Sequence, residues 1–72
     1  MKLNTADKLL AISYIGLYLH HQETKPGCSL LNFVESCADN FSEENWDCFD
    51  SLNGQSRHQL LNFCSQVLSE IS

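Results

Sequence analysis

The sequence predicts an all-α fold, a compact four-helix domain with short connections and a short third helix. Two observations carry this expectation. Apolar residues recur at steps of three and four with no strand-like alternation of any length. Helix start and stop signals then divide the chain into four segments joined by short connections, which favours antiparallel neighbours.

The first helix is expected from about Thr5 to Gln22. Asn4 is its N-cap, and Asp7 lies near the positive end of the helix dipole. Lys25-Pro26-Gly27 ends it, because proline cannot continue a helix and turns its predecessor away from helical angles. The second is expected from about Ser29 to Asn40, with Leu30, Val34, Cys37 and Phe41 forming one buried stripe flanked by Leu31 and Ala38. The third runs from Glu43 to Leu52, opened by Ser42 and closed by Asn53-Gly54. Trp46, Phe49 and Leu52 give it only an apolar edge, so a lid or cross-piece is expected of it. The fourth runs from Arg57 to Ile71 behind a capping box of Ser56 and Gln59. Leu60, Leu61, Cys64, Val67, Leu68 and Ile71 make its amphipathic stripe. Leu30-Leu31-Asn32-Phe33 recurs as Leu60-Leu61-Asn62-Phe63, but the first and third helices show no matching echo, so the likeness is attributed to chance.

A chain of 72 residues makes one domain, here all of residues 1–72. A domain of that size buries only about 60% of the surface its unfolded chain exposes, so its stability is marginal. The 43% hydrophobic share argues against disorder. Four Lys and Arg against nine Asp and Glu, a net charge of −5, leave too few cations for a nucleic-acid footprint. The apolar run from Leu9 to Leu19 is shorter than the roughly 20 residues a membrane span needs. Asp7 before it, and His20-His21-Gln22-Glu23 after it, depart from the signal-peptide pattern. A cytoplasmic chain acting on neither nucleic acid nor membrane is expected.

Cys28, Cys37, Cys48 and Cys64 show no C-x-x-C or zinc-ligand spacing. Cys37 and Cys64 fall on apolar stripes and Cys48 adjoins Phe49, so most are expected to be small buried hydrophobes. Two disulfides, in any of three connectivities, are the alternative. Cys28 precedes the second helix, whose dipole favours a thiolate, and is the candidate reactive thiol. His20 and His21 close the first helix, but adjacent ring positions point about 100° apart and do not share one metal comfortably. No Gly-rich phosphate loop or catalytic signature is present, and a core this small leaves little room for a pocket. No enzyme, metal or cofactor is expected.

Two features point to binding instead. Glu35, Asp39, Glu43, Glu44, Asp47 and Asp50 cluster between residues 35 and 50, and no basic residue lies between Lys25 and Arg57. Like charges at steps of three and four repel by a few tenths of a kcal/mol each, so the cluster is either a solvated surface or a docking face for a basic protein. The first helix is apolar in nearly every direction, and such a helix wants burial all round. Leu10, Tyr14, Gly16, Leu17 and Tyr18 are the candidate self-association residues, with the two tyrosines as anchors and Gly16 permitting close backbone approach. The expected function is a small, non-enzymatic interaction or regulatory module, a homodimer binding a protein partner. A thiol- or metal-responsive sensor using Cys28 with another cysteine is one alternative. An acidic inhibitor mimicking nucleic acid is the other.

Overall fold

A computed structural model of the protein describes residues 3–37 and 41–71. The described residues form α1 (Thr5–Thr24), α2 (Leu30–Cys37), α3 (Glu43–Leu52) and α4 (Arg57–Ile71), with no strand among them.

Each helix starts where a side chain takes over an orphan backbone N–H. Asn4 Oδ1 accepts from the Asp7 N–H at 2.7 Å, and Ser42 Oγ accepts from the Asn45 N–H at 3.2 Å. The capping box of α4 is closed on both arms: the Ser56 N–H donates to Gln59 Oε1 at 2.9 Å and the Gln59 N–H to Ser56 Oγ at 3.2 Å. α2 begins one residue later than expected because Ser29 is its cap, its hydroxyl accepting from the Asn32 N–H at 3.2 Å and its carbonyl from the Phe33 N–H at 3.0 Å. The predicted end of this helix, from Ala38 to Asn40, lies outside the described residues.

α1 runs two residues past the expected Gln22. Pro26 constrains Lys25 but leaves the Lys25 N–H free to donate to the His21 carbonyl at 2.8 Å, so the last turn still closes. Gly27 then turns the chain at φ +107° and Gly54 turns it after α3 at φ +86°, conformations in which a Cβ is strained.

α1 is the hub. It packs against α2, α3 and α4, while α2 and α3 also pack on each other. Ala11, Ile15 and Tyr18 point from α1 into a core completed by Leu30 and Val34 from α2, Cys48 and Phe49 from α3, and Leu60 from α4. α3 is therefore more than a lid: ten residues suffice to bury Asn45, Cys48 and Phe49 completely. The stripe expected on α4 divides. Leu60 and Val67 are buried, whereas Leu61 and Leu68, one position and about 100° further round, are half exposed. Cys37, placed on a buried stripe from the sequence, is exposed at the end of α2. Phe41 lies before the Ser42 cap and wedges between helices, its ring 5.0 Å from Tyr14, 5.1 Å from Trp46 and 5.3 Å from Phe49.

Polar locks fix the helices against each other. The buried Asn45 amide donates to the Asp7 carbonyl at 3.3 Å, tying α3 to α1. Asn53 Oδ1 accepts from the Leu31 N–H at 3.1 Å, tying the end of α3 to the start of α2. The radius of gyration, 11.4 Å, is that of a close-packed chain, for which about 11 Å is expected at this length.

Candidate interaction surfaces

The inward side of α3 is set by Asn45, Cys48 and Phe49, so Glu43, Glu44, Asp47 and Asp50 are turned to solvent. Glu35, from the outer side of α2, is also exposed, and Asp39 lies outside the described residues. Glu43 and Glu44 in the first turn are favoured by the α3 dipole, while Asp50 near its negative end is not. Among the described residues the ion pairs are Lys8–Glu70 at 3.0 Å and Arg57–Glu23 at 2.7 Å, both joining α1 to α4. Neither neutralises the acidic surface. The four carboxylates of α3 form a ridge held by a helix anchored in the core.

The residues expected for self-association are divided by the fold. Tyr18 is only 6% exposed; its hydroxyl donates to the Cys28 carbonyl at 3.0 Å and accepts from the Gln22 amide at 2.6 Å. It is a core tyrosine that pins the loop before α2, and not a surface anchor. Tyr14 is half-buried, edge-on to Phe41 and, at 6.4 Å, to Phe49. Leu10 is half-buried as well. Gly16 and Leu17 do lie outside, and a Cβ at Gly16 would meet nothing within 4 Å. The side chains that sequence reasoning missed are Leu9 (48% exposed), Leu61 (49%) and Leu68 (50%), which accompany Leu17 (53%) as exposed leucines. Two adjacent pairs at the same seven-residue spacing, Leu60–Val67 and Leu61–Leu68, are the signal in the sequence that one pair stays outside, but not which one.

The four cysteines are free thiols. Burial pushes the Cys48 thiol up to about 11, with the neighbouring Cys64 thiol adding to the shift, and burial raises Cys64 in the same direction. Both keep their protons at neutral pH, which is the state of a packing group and not of a nucleophile. Cys28 is half-buried, its thiol donating to the Ser29 carbonyl at 3.4 Å. Burial also raises the Tyr18 hydroxyl, with Cys28 contributing and the Gln22 hydrogen bond opposing. His21 lies against Phe33, ring centres 5.1 Å apart.

A groove of about 240 Å³ between α1 and α4 is lined by Leu3, Lys8, Phe63, Gln66, Val67 and Glu70. It falls below the range usual for small-ligand sites, and its two charged groups are paired with each other. Among the described residues no three His, Cys, Asp or Glu side chains assemble into a metal-binding group. No described helix is long and apolar enough to cross a membrane. Compared with known proteins, the chain matches no protein family, no curated protein and no solved structure.

Proposed function

We propose that the chain is a small, non-enzymatic helical interaction module that binds a protein partner with a basic surface. The observation that carries this is the ridge of exposed carboxylates on α3, Glu43, Glu44, Asp47 and Asp50, none of which, like the exposed Glu35 on α2, takes part in the ion pairs formed among the described residues. Glu43, Asp47 and Asp50 follow one side of α3 over about 10 Å, at 1.5 Å rise per residue. Because that helix buries Asn45, Cys48 and Phe49, the ridge is already rigid before a partner arrives. Little conformational freedom is then lost on binding. Charge concentrated on one side of a small protein steers an oppositely charged partner and speeds its association, an effect that salt removes. Lysine substitution at Glu43, Glu44 and Asp47 together leaves the buried residues of α3 in place and inverts the ridge. Affinity purification with the wild-type chain, repeated with this variant and at high salt, tests the proposal. A basic protein retained by the wild type and lost in both controls is the expected outcome. Equal retention by the charge-inverted chain would contradict it.

A further inference from the structure

We propose that the outer side of the α1–α4 pair is the interface of a two-fold homodimer, independent of the acidic ridge and of its partner. The two helices run antiparallel, because Lys8 meets Glu70 at one end and Glu23 meets Arg57 at the other. The second pair also marks which sides of the helices adjoin. At about 100° per residue, Leu61 and Leu68 lie within about 40° of Arg57 around α4, and Leu9 and Gly16 within about 40° of Glu23 around α1. The exposed leucines of the two helices therefore border one surface, with Leu17 further round at its rim.

Charge, extent and shape make a second copy the occupant. α1 has no Asp, Glu, Lys or Arg between Lys8 and Glu23, and α4 has none between Arg57 and Glu70. The charges that border this surface, Glu23 and Arg57, are paired with each other, which leaves a partner recognised by charge little to hold. Two copies, each of net charge −5, can meet on this side with the α3 carboxylates turned away. As to extent, α1 is 20 residues long and α4 15, so the two share a rectangle about 22 Å long, and about 20 Å wide for helices 8–10 Å apart. That is about half of the roughly 800 Å² per partner of a standard stable complex, the scale of a weak and reversible one.

The shape completes the case. An antiparallel helix pair with leucines at a seven-residue spacing is half of a four-helix bundle, and the layer that closes such a bundle is another antiparallel pair. A two-fold axis supplies one from the same chain, with each patch facing itself. Gly16 leaves open space on this surface into which a facing side chain can enter. The dimer also explains why α1 is apolar on nearly every side. It covers its own core with α2, α3 and α4, and its remaining side with a second copy.

Sedimentation velocity of the full chain across the micromolar range, under reducing conditions, tests the inference beside two variants. Gly16→Arg places a long charged side chain in open space and improves the helix, so the monomer fold is kept. Leu61→Glu with Leu68→Glu charges the other half of the surface at positions that are half exposed in the monomer. The wild type is expected to show a reversible monomer–dimer equilibrium, which each variant weakens about 100-fold or more at unchanged helical content. Should the double variant lose helical content, Gly16→Arg alone decides. A wild type that stays monomeric throughout, that grows into open polymers, or whose dimer is indifferent to Gly16→Arg overturns the inference. Losing the dimer leaves retention of a basic protein by the acidic ridge unaffected, so the two proposals fail separately.

Discussion

At Cys48 the cost of burial can be titrated. The thiol is fully buried in the core, with Cys64 of α4 nearby, and its raised value of about 11, against an ordinary 9.0, states how strongly the site disfavours a thiolate. The folded chain holds this proton at pH values where the unfolded chain has released it, so between those values the folded state binds more protons. Stability is thus fully present below about pH 9 and falls as the pH rises towards about 11. Denaturant unfolding measured at several alkaline pH values is expected to show that decline, and Cys48→Ala to flatten it while lowering stability overall. An identical alkaline decline in both chains would contradict the assignment. Tyr18 makes the same point about direction. Its identity as a large apolar side chain with a polar tip was plain in the sequence, but its hydroxyl has its partners, Gln22 and the Cys28 carbonyl, inside the molecule. An aromatic residue on a helix that is apolar all round carries no mark of which way it faces.

At the level of the helices, local signals were the most legible. The bounds of α3 and α4, and the caps at Asn4, Ser42 and Ser56, follow from side chains that act within three residues of the backbone groups they satisfy. Such interactions do not depend on the rest of the fold. The α4 stripe was less legible, since Leu60 and Leu61, like Val67 and Leu68, are adjacent apolar residues. Only the position of α1 decides that Leu60 and Val67 go inside. The role of α3 was underrated for a related reason: a length of ten residues says nothing of how deep Phe49 reaches, and Phe41 joins it from outside the helix. The capping box at α4 gives a direct energetic test. Ser56→Ala removes the acceptor of the Gln59 N–H at an exposed site and is expected to cost about 1 kcal/mol. In a domain of this size that lowers Tm by about 4–8 °C, readable by circular dichroism. An unchanged Tm would mean that α4 takes its position from packing on α1 alone.

Across the whole molecule, net charge and apolar surface are segregated. The carboxylates of α3 stand on the outer side of that helix; the stretches of α1 and α4 that carry no Asp, Glu, Lys or Arg, closed at each end by an ion pair, stand elsewhere. Composition reported both quantities but not their separation, which depends on α3 turning Glu43, Glu44, Asp47 and Asp50 outward and α4 turning Leu61 and Leu68 away from α1. On the two proposals above, these surfaces bind different things. Nuclear magnetic resonance of the isotope-labelled chain tests this in one titration, first by raising protein concentration and then by adding an oligolysine peptide as a basic probe. Concentration is expected to move the methyl signals of Leu9, Leu17, Leu61 and Leu68, and the peptide to move the amide signals from Glu43 to Asp50 while leaving those methyls in place. Methyl signals indifferent to concentration, or a peptide that perturbs the leucines and spares the ridge, would contradict it.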